Sequence, residues 1–264
     1  MFEKFDWQSD HLRLGELLFR LEHFRNKDWA HGHRYFSLYK VKELFDQYEN
    51  YFAAKANFQA KNIIELGIWD GGSLAIWSEL FFPSKLIGID FKSDRGDSDY
   101  FKHYIESRKL ADKVRTYWGT DQGDRRALNE IVEREFKDPL DLVIDDASHL
   151  YGPTKNSFEV LFPKMREGGV YIIEDWAWLH WPEFNDDPYF ANQIGLTKLV
   201  IELTEMIGSA RGIPPAILTV LPGFIAVEKT ALDLNEGKPF RIEDYICRRP
   251  TSKFGPPQIV RSLG

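Results

Sequence analysis

The chain has 264 residues with 34 basic and 41 acidic side chains, and its net charge of −7 gives no electrostatic reason to expect nucleic acid or an anionic membrane as partner. Hydrophobic residues make up 43% of it, enough for a full core, yet no run approaches the roughly eighteen apolar residues of a membrane-spanning helix. One cysteine, Cys247, excludes an internal disulfide and a cysteine zinc cluster, and the first ten residues lack the apolar stretch of a signal peptide, so a cytoplasmic location is expected.

Residues 1–58 read as a helical N-terminal extension packed on the core. Leu14, Leu17, Leu18 and Leu21 recur at helical spacing, and Val41, Leu44, Phe45, Tyr48 and Phe52 repeat the pattern. A polar segment with His31, Gly32 and His33 lies between them. From residue 59 to 264 the pattern changes. Short apolar runs at 62–66, 85–90, 114–119, 140–145 and 170–174 read as strands, each followed by a Gly- or Asp-rich turn. Helical periods intervene, clearest at Phe158, Leu161, Phe162 and Met165, and at Leu196, Leu199, Val200, Leu203 and Ile207. Runs at 216–221 and 224–228, joined by Pro222-Gly223, read as an antiparallel hairpin. The alternation predicts an α/β fold: a doubly wound, mostly parallel, seven-stranded Rossmann-like sheet of the class I methyltransferase layout.

In such sheets ligands sit at the carboxyl ends of the strands. The turn after the first strand holds Glu65, Gly67, Gly71, Gly72 and Ser73. An acid ahead of the glycines would repel a pyrophosphate but attract the ammonium of a methionine moiety, which favours S-adenosylmethionine over NAD. Asp90 ends the second strand, where a carboxylate can accept from both ribose hydroxyls, and Asp121-Gln122 after the third can meet an adenine edge. Each signal alone is equally a plain turn or a solvated acid; their order on successive strands is what points to a cofactor.

The fourth strand ends in Asp145-Asp146 with His149 just beyond, and the fifth in Glu174-Asp175. Clustered carboxylates need a cation, a shared proton or open water, and oxygen ligands suit Mg²⁺. The competing reading is that Asp145 and Asp146 only cap the next helix while Glu174 faces solvent. His149, beside them, is a candidate general base toward a hydroxyl, whose pKa a bound cation would lower. The following run carries Trp176, Trp178, Trp181, Phe184 and Tyr189, with Asn185, Asp186 and Asp187 at its end. It reads equally well as an acceptor-binding wall or as a loop whose tryptophans plug the core.

The pieces HGHRYFSLY, IIELGIWDGGSLAIW, GIDF, GTDQGD, VIDDASH, SFEVLFPKMREGGVYIIEDW and WPEF, in that order, resemble the macrocin and mycinamicin type of sugar O-methyltransferase, related to proteins called cephalosporin hydroxylases. The likeness runs from about His31 to Lys229. It implies transfer of a methyl group from S-adenosylmethionine to a sugar or glycoside hydroxyl. It also implies Mg²⁺ at Asp146, Glu174 and Asp175, with His149 as base. Glu65, Gly67, Ser73, Asp90, Asp121 and Gln122 fall to the cofactor, and Asp145 is counted with them, although the choice between Asp145 and Asp146 as metal ligand stays open. Trp176, Trp178 and Trp181 are the acceptor candidates. Here the sequence departs from the macrolide-sugar pattern, in which a Thr-Ser-Tyr-Trp-Pro type run ends in two glycines; a macrolide sugar is not implied. The partners expected are a small-molecule acceptor and, with the oligomeric state left open, further copies of the chain.

Other classes fit less well. A glycosyltransferase would need a diphosphate cradle near Asp145-Asp146, a dehydrogenase the G-x-G-x-x-G fingerprint, and an iron hydroxylase histidine ligands. A cofactor-binding module without catalysis is the remaining alternative, and the full set of His149, Asp146, Glu174 and Asp175 speaks against it.

Overall fold

The computed structural model describes residues 2–23, 32–55, 57–184, 187–190, 192–231, 234 and 238–247; His31, Asn185 and Asp186 lie outside the described residues. The chain begins with a small sheet. Strands β1 (Phe5–Trp7), β2 (His11–Leu14), β3 (Leu17–Leu21) and β4 (Phe36–Leu38) pair in that order, with the first three antiparallel and β4 parallel to β3. The helix expected through Leu14, Leu17, Leu18 and Leu21 is therefore corrected to a hairpin. Gly15, at φ +60°, turns the chain with Glu16 between the paired Leu14 and Leu17. Two turn residues inserted into a period of two imitate helical spacing. The true alternation is Leu12, Leu14, Leu17 and Phe19 inward, Arg13 outward.

Helix α1 (Lys42–Ala53) follows, burying Leu44, Phe45, Tyr48 and Phe52 as the spacing predicts. The remaining elements alternate: β5 (Asn62–Leu66), α2 (Gly72–Phe81), β6 (Lys85–Asp90), α3 (Asp99–Ser107), β7 (Val114–Trp118), α4 (Arg125–Glu135), β8 (Leu140–Asp145), α5 (Tyr151–Leu161), β9 (Met165–Glu174), α6 (Thr197–Ser209), β10 (Ala216–Val220) and β11 (Phe224–Lys229). Met165, expected on the helix of Phe158, instead opens β9, because Pro163 stops α5 one turn earlier. Ser98 and Asp124 cap α3 and α4 through their side-chain oxygens.

The large sheet has the order β10-β11-β9-β8-β5-β6-β7, parallel except for β11, which runs against both β9 and β10. Its inner strands β5, β6, β8, β9 and β11 are buried on both faces, whereas the edge strands β7 and β10 are partly exposed. Ile63, Leu142, Ile144, Val170 and Ile172 join a cluster with α1, α2, α3 and the small sheet, while Ile64, Val143, Tyr171 and Ile173 join another with α4, α5 and α6. Among the described residues no helix is long and apolar enough to cross a membrane.

Candidate active site

Strand order reverses between β5 and β8, so a crevice opens at their carboxyl ends. A cavity of about 1510 Å³ lies over it. Gly67 sits on its floor at φ +83°, and a Cβ there would stand 2.1 Å from the Asp146 carbonyl oxygen. Asp146 N donates to Leu66 O at 2.9 Å. Glycine at 67 is thus required for the β5 and β8 turns to pack together, besides any approach of a ligand.

Asp90 reaches the cavity wall with its Oδ2 accepting from Ile68 N and Trp69 N, both at 3.2 Å, and its Oδ1 from Lys92 N at 2.9 Å. Asp121 is exposed on the same wall, its Oδ1 accepting from Gly123 N at 2.7 Å. A carboxylate has about four lone-pair sites, so both keep capacity for a ligand hydroxyl or amine. Gln122 touches the cavity but spends its amide inside the protein. Its Nε2 donates to Asp145 at 2.9 Å, and its Oε1 accepts from Ser148 N at 2.7 Å.

Three of the expected cofactor residues are not on the wall. Asp145 is 2% exposed and is held by Gln122, by Ser157 Oγ at 2.9 Å and by Tyr171 OH at 3.0 Å; burial pushes its carboxyl up to about 6 against those bonds. Its role is to brace the turn that carries Asp146. Ser73 lies on α2 behind the turn. Glu65 is fully buried, with Oε1 accepting from Trp77 Nε1 at 3.0 Å and Oε2 lacking a hydrogen-bond partner among the described residues. Burial pushes it up to about 8, opposed by the charge of Lys40.

Asp146, His149 and Asp175 do converge. His149 Nε2 lies 3.8 Å from Asp146 Oδ1 and 4.0 Å from Asp175 Oδ2, and one ligand atom from each of the three lies within 4.8 Å of the others. Burial, then repulsion from Glu174, raises Asp175, while His149 lowers it. His149 and Asp175 hold left-handed backbone, φ +55° and +50°, as does Trp69 at +50°. Such conformations cost on the order of 1–3 kcal/mol each and persist where surroundings over-determine them, typically at functional sites. The carboxylate oxygens of Asp146 and Asp175 at an open crevice fit a divalent cation, with the His149 imidazole beside them rather than among the donors.

Glu174 departs from the expected arrangement. It is 1% exposed, with Oε1 accepting from Tyr48 OH at 2.6 Å and Oε2 from the Lys40 ammonium, which also donates to Asp146 Oδ2 at 2.5 Å. Both of its oxygens face α1 and the residue before it. Lys40 and Tyr48 escape a reading of the sequence because nothing local connects them to acids more than a hundred positions away.

The aromatic run divides. Trp176 donates to Leu221 O at 2.8 Å and packs on the core, away from the cavity. Trp178 is 3% exposed; its Nε1 donates to His149 O at 2.7 Å and its ring lies 4.1 Å from Phe190. An edge of Trp178 also borders the cavity, and Trp181, Phe184 and Tyr189 line it. Tyr39, Val41, Leu44 and Gln47 form the facing wall, fixed by Asp70, which accepts from Ser37 N at 2.6 Å, and by Gln47, which accepts from Gly223 N at 2.9 Å.

A sheet of this order, with the seventh strand antiparallel and the cavity at the switch point, defines a class I methyltransferase fold. Residues 64–176 match the family Methyltransf_24, a methyltransferase domain. The chain is 32% identical over 166 residues to mycinamicin VI 2''-O-methyltransferase of Micromonospora griseorubida, and 33% identical over 166 residues to demethylmacrocin O-methyltransferase of Streptomyces fradiae. Each alignment covers 59% of this chain and 38% of the relative, so the chain spans about two-fifths of their length. Among solved structures, MycE methyltransferase from the mycinamycin pathway, in complex with Mg, SAH and mycinamycin VI, superposes with a TM-score of 0.53 at 29% identity, covering 74% of this chain and 51% of that one.

Proposed function

We propose that the chain is an S-adenosylmethionine-dependent O-methyltransferase of the cytoplasm whose acceptor is a hydroxyl of a sugar or glycosylated small molecule. The observation that carries this reading is the position of His149: its Nε2 stands within 3.8 Å of Asp146 and 4.0 Å of Asp175 in a cavity that Asp90, Asp121, Trp181 and Tyr189 also line. The relatives' names, all sugar or glycoside O-methyltransferases, support the acceptor class.

In this reading Asp90 and Asp121, which line the cavity, orient the nucleoside, while Glu65, buried behind the turn, braces Gly67 and α2 through Trp77. Bound S-adenosylmethionine would supply an electrophilic methyl group, and His149 Nε2 is placed to take the proton that the acceptor hydroxyl gives up as it is methylated. Asp146 and Asp175, at 3.8 and 4.0 Å, stabilise the imidazolium so formed. A divalent cation held by Asp146, Asp175 and Glu174 would lower the pKa of the hydroxyl and orient it. The aromatic faces of Trp181, Phe184 and Tyr189 suit the C–H face of a sugar ring.

Incubation with methyl-labelled S-adenosylmethionine and a panel of sugars and glycosides, with and without Mg²⁺, tests the reading. Labelled methyl ether on a sugar, dependent on the cation, is expected; labelling confined to non-sugar acceptors, or none with any acceptor, overturns it.

A further inference from the structure

The carboxylate cluster already contains a cation, and it comes from the chain itself. Lys40 is 9% exposed and places its ammonium between Asp146 Oδ2, at 2.5 Å, and Glu174 Oε2. A buried amine needs opposite charge beside it, and here two carboxylate oxygens accept from the ammonium. Asp146 is divided between two directions: Oδ2 toward Lys40, Oδ1 toward His149 and Asp175. Two of the three residues expected to hold the metal, Asp146 and Glu174, are therefore each engaged by the ammonium through one oxygen.

We propose that Lys40 is a tethered counter-cation that competes with a divalent ion for Asp146 Oδ2 and Glu174 Oε2, so that metal entry expels the ammonium and loosens the segment that bears it. This rests on the metal reading given above. An ammonium and a divalent ion a few ångströms apart repel with twice the charge product of two single charges, so the two cannot share these oxygens. Lys40 has somewhere to go. It lines the cavity together with Tyr39 and Val41, and its four-carbon stem can turn into that space. Glu174 keeps its orientation meanwhile, because Tyr48 OH holds the other oxygen at 2.6 Å. The segment affected is the junction between β4 and α1, which forms the wall facing Trp181. Loading the metal would then open that wall.

The test uses Mn²⁺ as probe on the full chain without cofactor. Calorimetry should show Lys40→Met binding Mn²⁺ about tenfold tighter than wild type or more, since a competing charge has been removed. Hydrogen exchange of wild type should speed up across residues 36–48 on saturation with Mn²⁺; this measurement decides alone if Lys40→Met does not fold. Equal or weaker binding by the variant, or exchange that stays the same or slows in saturated wild type, overturns the competition while leaving the metal reading intact. Absence of Mn²⁺ binding by both proteins overturns the competition and the metal reading together.

Discussion

His149 is constrained from three sides: its backbone is left-handed at φ +55°, its carbonyl accepts from Trp178, and its Nε2 faces two carboxylates. Asparagine tolerates that backbone and cannot take a proton, so His149→Asn separates chemistry from folding better than alanine. Its turnover should fall by roughly 10²-fold or more with melting temperature and S-adenosylmethionine affinity preserved; an undiminished rate would move the proton to another acceptor. Glu65 offers a second residue-scale expectation. Its carboxyl stands at about 8 in the folded chain against an ordinary 4.5, because burial penalises the charge. The folded state therefore holds a proton that the unfolded chain releases, and its contribution is full below about 4.5 and lost as pH rises toward 8. Glu65→Gln removes this linkage without changing shape. Relative to wild type, the variant should gain stability in denaturant melts as pH rises from 5 to 8; a pH-independent difference would show that Glu65 is ionised throughout.

Elements differ in how far they could be read ahead of the structure. β5, β6, β8 and the second half of β9 were legible because strands buried on both faces are short, continuous apolar runs, and here each ends at a Gly or Asp turn. The small sheet was not, since Gly15 and Glu16 shift a two-residue period into register with a helical one. At the site, Asp146, His149 and Asp175 were legible as acids and imidazole on neighbouring strand ends, but Lys40 and Tyr48 arrive through tertiary packing alone. The tryptophan run could not be divided from its sequence, because plug and wall use the same residue. Mutation now separates them. Trp178→Ala should lose about 3–5 kcal/mol of stability, as for truncation of a buried ring. Trp181→Ala should leave the melting temperature nearly unchanged and raise the acceptor KM. Equal effects of the two on stability and KM would return both to one role.

At the scale of the whole molecule, residues on the two sides of position 58 share one packed cluster. Phe19 and Phe36 of the small sheet share one cluster with Trp77, Ile63 and Ile172, and Tyr48 stacks on Phe224 at 4.6 Å. Polar ties cross the same boundary: Ser37 to Asp70, Lys40 to Asp146, Tyr48 to Glu174 and Gln47 to Gly223. Three of these four ties, those of Lys40, Tyr48 and Gln47, reach residues that line the cavity, so the N-terminal elements complete the site rather than merely preceding the domain. Folding of the two parts should then be coupled, because neither can bury its share of the cluster alone. Unfolding in urea should consequently show a single transition, with the midpoint from exchange-resistant amides of β2 and β3 equal to that from β5 and β8. A distinctly lower midpoint for β2 and β3, with β5 and β8 still protected, would mean that the small sheet is a separately melting accessory and that the wall formed by Tyr39 and Leu44 can be lost without losing the fold.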